Sequence, residues 1–192
     1  MLKRILVVVV VGVAAFLTFA ATRPANYKIE RAVTTSAPAS VVYAHVADFA
    51  KWAEWSPWAK LDPAMKSTLS GSPSSPGQRT TWAGNDKVGE GSMTMTAVKP
   101  DEKVEISLEF LRPFKDHSLT TLSLAPDGAG TRITWSMTGE RAFMGKVACI
   151  FMDMDKLVGS DFEKGLSALK AVAETDAQRA QAQAPGAAPL AQ

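Results

Sequence analysis

Residues 143–173 read FMGKVACIFMDMDKLVGSDFEKGLSALKAVA, and the fold follows from how this stretch is read. Its apolar positions are Met144, Val147, Phe151, Met154, Val158, Phe162, Gly165, Leu169 and Val172, at intervals of three or four. That spacing draws one apolar stripe along helical structure. Asp153, Asp155, Lys156, Asp161, Glu163, Lys164 and Lys170 fall mostly off the stripe. A helical run of this kind is not stable alone in water, so the stripe must lie on a larger apolar surface. Gly159-Ser160 can divide the run, with Gly159 ending one helix and Ser160 and Glu163 in capping-box spacing for the next. The longest helix would then begin at Asp161.

The surface for that stripe comes from the segments before it. Tyr27 to Thr35 alternates as a strand, with Tyr27, Ile29 and Val33 on one face. Arg31 falls on the same face, as a strand-end residue reaching solvent or as a cation in a cavity. Ser36-Ala37-Pro38 opens a helix, with Ser36 as cap and Pro38 in the first turn. Trp52, Trp55 and Trp58 recur every third residue, and Ser56-Pro57 marks a break and restart. This aromatic cluster is either a hydrophobic plug or the wall of a ligand pocket. From Met65 the period changes to two, giving strands over 65–70, 78–82, 91–98, 104–110, 116–124 and 132–138. Turn-rich segments at 71–77, 84–89, 99–102 and 126–128 separate them. One face of the late strands is polar and the other apolar. The expected class is α+β, a curved antiparallel sheet with helices on one side.

The amino terminus stands apart. Lys3 and Arg4 precede an uncharged stretch from Ile5 to Ala21. Its length lies at the short edge of a membrane span and beyond the core of an ordinary signal peptide. The expectation is a transmembrane anchor, with a cleaved signal as the alternative, since Thr18 and Ala20 offer a small-residue cleavage pattern. Lys3 and Arg4 would stay cytoplasmic, placing the domain on the periplasmic side of a bacterial inner membrane. Cleavage would leave it secreted or periplasmic. The expected organisation is residues 1–4 cytoplasmic, 5–22 anchor or signal, 23–26 linker, 27–173 domain, and 174–192 a disordered Ala, Gln and Pro-rich tail.

Composition excludes several function classes. The net charge is only +2, with no basic stripe, which argues against nucleic acid. Cys149 is the one cysteine, so no internal disulfide forms. No metal-ligand spacing is present, and no metal or cofactor is expected. His45 sits among apolar neighbours on its helix. Asp116 and His117 are adjacent in a strand, so regular geometry sends them to opposite faces. Cys149 reads as a structural thiol, Asn85-Asp86 as a hairpin turn, and Asp153 and Asp155 as residues that do not face each other. No catalytic residue is assigned. What remains is apolar: Met93, Met95, Met137 and Met154, with Trp82, Phe110 and Trp135, point into one interior, as a Met-rich core or a ligand-lined cavity.

Several segments together resemble the polyketide cyclase/dehydrase and lipid-transport family of the START-like (SRPBCC) superfamily. They are TTSAPASVVYAHVADFAKWAEWSPW, ISLEFLRPF, GTRITWSMTGE and FMDMDKLVGSDFEKGLSALK. The resemblance covers roughly Tyr27 to Ala173. It implies a helix-grip fold, a curved antiparallel sheet wrapped around a long carboxy-terminal helix with a hydrophobic cavity between them. By position, Trp55, Trp58, Trp82, Met93, Met95, Phe110, Trp135, Met137, Met154 and Phe162 would line that cavity, with His117 or Asp116 as its polar group. The superfamily shares no catalytic set. The leading expectation is a membrane-tethered, exported domain that binds a hydrophobic small molecule or lipid. The alternatives are a cyclase- or dehydratase-like enzyme on an aromatic or polyketide substrate, and an interaction module that binds no ligand.

Overall fold

Alternation with a period of two produces seven strands: β1 (Asn26–Thr35), β2 (Lys66–Ser70), β3 (Arg79–Ala83), β4 (Glu90–Lys99), β5 (Lys103–Arg112), β6 (Asp116–Asp127) and β7 (Gly130–Glu140). In the computed structural model, which describes residues 1–113 and 115–183, they form one antiparallel sheet in the order β1-β7-β6-β5-β4-β3-β2. The helices are α1 (Leu2–Ala21), α2 (Ala39–Val46), α3 (Trp52–Trp55), α4 (Phe143–Phe151) and α5 (Met154–Gln183). A curled sheet with a long carboxy-terminal helix is the helix-grip arrangement of an α+β fold.

Strand register sorts the helix-facing side of the sheet into cross-strand rows. One row runs Arg31, Trp135, Leu122, Val104, and the next runs Ile29, Met137, Thr120, Ile106, Met95. Apart from Arg31, every residue in these two rows is buried. α5 covers that part of the sheet with Phe162, Leu166, Leu169, Ala173 and Ala177, all buried.

Two glycines let α5 sit this close. A Cβ on Gly165 would lie 2.8 Å from the Trp135 ring and 3.1 Å from Pro57. A Cβ on Gly159 would strike the Arg31 guanidinium. Arg31 reaches across Gly159 to Glu163 at 2.8 Å and Asp155 at 3.0 Å, and also donates to the Asp155 carbonyl. It is therefore a clamp between β1 and α5, neither free in solvent nor an isolated cation in a cavity.

Helix boundaries differ from expectation in several places. The division of the carboxy-terminal run falls at Met152–Asp153 and not at Gly159-Ser160, because Met152 is extended and the Asp153 carboxylate accepts the Lys156 backbone N–H at 3.1 Å. Gly159 lies inside α5, where packing demands a small residue. The turn at 152 also splits the apolar stripe: Met144 and Phe151 are exposed and miss the sheet. Ser36 does not cap α2, whose N-cap is Pro38 with no side-chain bond. Its N–H and hydroxyl, with the Thr35 hydroxyl, donate instead to Glu174 at 3.0–3.2 Å. After Ser56 the chain forms turns and does not restart a helix.

Glu174 and Asp176 also correct the expected tail. The helix continues from 174 to Gln183 because Glu174 anchors β1, His45 Nε2 meets Asp176 at 3.0 Å, and Ala177 is buried. Residues 184–192 lie outside the described residues.

Gly165→Ala is expected to destabilise the domain by about 1–2 kcal/mol in denaturant unfolding, since overpacking against Trp135 outweighs the gain in helix propensity. Acid acts on the same docking. Hydrogen bonding from the Ser36 N–H holds Glu174 below the usual carboxylate range, and hydrogen bonding from Arg31 does the same for Asp155. A depressed carboxylate contributes stability above its unfolded value and loses it as pH falls through its folded value. The melting temperature should therefore drop below about pH 4, the ordinary carboxylate range. Glu174→Gln should make that drop shallower.

Candidate functional site

The rows next to the buried ones are open. One runs Tyr27, Gly139, Ser118, Leu108, Met93, Thr80, and the last runs Asp116, Phe110, Gly91, Trp82. Tyr27, Leu108, Met93, Phe110 and Trp82 are all half-buried. The helix-facing side of the sheet is thus sealed beneath α5 and forms an apolar trough beyond it.

The sealed end is an aromatic plug. Trp135 and Phe162 stack with ring centroids 4.2 Å apart and planes 5° from parallel. Trp55 and Trp58 meet the Trp135 ring edge-on at 5.5 and 5.8 Å, and Trp52 does so at 6.2 Å. Trp52 Nε1 donates to the Val46 carbonyl at 3.1 Å and Trp55 Nε1 to the His45 carbonyl at 3.4 Å. These bonds fix the plug to the end of α2. Trp55, Trp135, Met95 and Phe162 are therefore packed core. Trp58 is half-buried at the margin of the plug. Met137, at 9% exposure, borders the trough, and Met154 is half-buried at the first residue of α5.

The trough has one rigid wall. Trp82 Nε1 donates to the Val88 carbonyl at 3.0 Å, and its ring meets Phe110 edge-on at 5.7 Å. The indole lies across Gly91, where a Cβ would come within 2.6 Å of it. The Ser118 hydroxyl points inward from β6 on the floor, and the Thr120 hydroxyl does so beside it in the adjoining sealed row. Both are buried, and neither has a hydrogen-bond partner among the described residues. An unpaired buried hydroxyl is costly, so these two atoms stand out in an apolar setting. They were not singled out from sequence, although they share the inward phase of Leu122 and Leu124, which was the available signal.

At the trough's end an open depression of about 730 Å³ is lined by Tyr27, Asp116, Ser118 and Gly139 and, from the opposite strand phase, by Lys115, His117 and Glu140. Tyr27 Oη donates to Asp116 at 3.4 Å, and the Arg141 guanidinium lies 4.6 Å from the Tyr27 ring centroid. Burial first, and then the Asp116 carboxylate, push the Tyr27 phenol above its ordinary value. The Ser118 hydroxyl faces this phenol without a bond of good geometry. Asp116 is thus on the trough side. His117 is not: alternation turns it to the opposite, solvent-facing side, where its Nε2 meets Ser107 Oγ at 3.1 Å. His117 is thus outside the sealed interior and lies at the rim of the depression. Among the described residues, no three His, Cys, Asp or Glu side chains form a metal-binding group.

The model of a family described as polyketide cyclase / dehydrase and lipid transport matches residues 27–174. No curated protein matches the chain. Among solved structures, protein CV1439 from Chromobacterium violaceum aligns with a TM-score of 0.55 at 16% identity, covering 77% of this chain and 96% of that one. Mll3558 from Rhizobium loti aligns at 0.58 and 22% identity, over 76% and 96%. The di-domain ARO/CYC StfQ from the steffimycin biosynthetic pathway aligns at 0.60 and 12% identity, over 80% of this chain and 52% of that one. At such identities the likeness is one of fold.

Proposed function

This chain belongs to the polyketide cyclase/dehydrase and lipid transport family, and from that premise we propose that it binds a hydrophobic small molecule, lipid- or polyketide-like, in the trough beside α5. The observation that carries this reading is the inward Ser118 hydroxyl, without a partner among the described residues and paired in register with Leu108 in the row that also holds Met93. Ligand sites combine an apolar lining with a few convergent polar groups that fix orientation. A ligand with one polar end would pair this hydroxyl and cover the half-buried side chains around it.

The proposed setting is a membrane. α1 is long and apolar enough to cross one, and Lys3 and Arg4 before it favour a periplasmic domain on a single-pass inner-membrane anchor. Contact with α4 supports retention of α1 over cleavage: Phe16 meets Phe151 at 5.9 Å, and Ala20 is fully buried.

Ser118→Ala tests the binding reading. Removing an unpaired buried hydroxyl should raise the stability of the empty domain by about 1 kcal/mol, while affinity falls about 5- to 10-fold. Chemical denaturation reads the first, and displacement of a bound apolar fluorophore reads the second. Mass spectrometry of detergent-free preparations should find a co-purifying apolar molecule in the wild type. Stability that rises with affinity unchanged would mark the trough as ordinary core and sink the proposal.

The Tyr27–Asp116 pair favours a second, cyclase- or dehydratase-like reading, since a phenol held protonated beside a carboxylate can donate a proton to a bound carbonyl. On that reading Tyr27→Phe abolishes turnover of an aromatic polyketide-like substrate and leaves its affinity within about twofold, the loss of one hydrogen bond being small. Turnover that survives the substitution removes the enzyme reading.

A further inference from the structure

α4 is an apolar helix that the domain does not bury. None of its residues is buried; Met144 is 65% exposed and Phe151 is 72% exposed. Phe143 belongs to the same exposed face, and Met152 and Leu157 extend the apolar exposure past α4 into α5. A contiguous patch of this kind calls for a partner. What covers it is set by its neighbour, because the element packed against α4 is α1. Phe151 lies against Phe16, and Lys146 Nζ donates to the Ala21 carbonyl at 3.3 Å, the last residue of α1.

Depth follows from helix geometry. The 20 residues of α1 rise about 30 Å at about 1.5 Å each, the thickness of a bilayer core. Phe16 precedes Ala21 by five residues and so lies about 8 Å below the end of the span. The contact with Phe16 holds Phe151 at that level, while the bond to Ala21 holds the Lys146 ammonium at the end of the span. In-plane helices bury their apolar faces about 5–10 Å into the headgroup boundary, the same range.

Charge agrees with that placement. α4 carries no carboxylate, and its one charged residue is Lys146. Arg23 lies 5.5 Å from the Phe19 ring centroid, and Arg141 precedes α4. The carboxylates that follow are engaged elsewhere, Asp153 at the start of α5 and Asp155 with Arg31. Cations ring the end of α1, where lipid headgroups would lie.

We infer that α4 is an in-plane membrane helix, inserted in the leaflet where α1 emerges, with Met144 and Phe151 among the acyl chains and Lys146 at the headgroups. This rests on the reading of α1 as a membrane span. The arrangement sets the depression lined by Tyr27, Asp116 and Ala142 at the bilayer surface, so an apolar molecule passes between leaflet and trough without crossing water.

The test uses the full chain in nanodiscs of phosphatidylcholine and phosphatidylglycerol, in a Cys149→Ser background, with an environment-sensitive fluorophore on single cysteines. Met144→Cys reports α4, Val10→Cys the middle of α1, and Thr96→Cys the exposed outer face of the sheet. Lipids carrying a nitroxide at a shallow acyl position should cut the Met144 emission to about half or less, as a depth of about 5–10 Å requires. A deep nitroxide should quench Val10, and neither should quench Thr96. Quenching at Val10 with none at Met144 overturns the inference and leaves the anchor standing. Absence of quenching at both overturns the two together. Blue-shifted Met144 emission that no lipid nitroxide quenches assigns the face to a protein partner and likewise overturns it.

Discussion

The seat of α5 against Trp135 is the constraint on which the rest of the domain depends. Phe162 stacks on the indole at 4.2 Å only because Gly165, three residues on, lets the helix backbone approach the same ring. Trp52, Trp55 and Trp58 close around the other sides of that indole. Burial of several large aromatics dominates the local energetics, and edge-on geometry adds to it. The polar contacts then set the helix's position along the sheet. Arg31 clamps its first turns beside Gly159, and Glu174 ties its later turns to Thr35 and Ser36. Exposed ion pairs are individually weak, but three hydrogen bonds converging on one carboxylate define a register.

Because α5 is held at that end, the other end of the sheet is left uncovered. In the row from Tyr27 to Thr80 and the row from Asp116 to Trp82, the large side chains Tyr27, Met93, Leu108, Phe110 and Trp82 stay half-buried. A packed half and an open half are therefore separated on one sheet face: aromatic stacking fills one, and half-buried methionine, leucine and phenylalanine side chains line the other. Trp82 keeps the open half in shape through its bond to Val88 and its contact across Gly91.

The extended residue at Met152 has a comparable consequence. It turns the chain between α4 and α5, so α4 leaves the sheet and meets α1. One backbone reversal converts what would have been more grip helix into a surface helix beside the apolar amino-terminal one.

The sequence by itself determined the strand phases, the helical character of the carboxy-terminal run and the apolar amino-terminal stretch, because these are local periodicities. Trp135, Met137 and Ile133 were legible as inward residues on that ground alone, and the family was legible in the combined segments. Only the tertiary structure decided what each inward residue meets. Alternation cannot say that Trp135 and Phe162 fill space while Met93 and Phe110 border it, because that depends on where α5 stops covering the sheet. Nor could it separate Gly159 as a packing residue from Gly159 as a helix end, since the reason is an arginine far away in the chain. The same holds for Glu174, read as the start of a tail until its partners on β1 are brought beside it. Ser118 and Thr120 became visible only when the side-chain contacts gave their hydroxyls no partner among the described residues. Long-range contacts, not local propensity, divide this sheet face into core and trough.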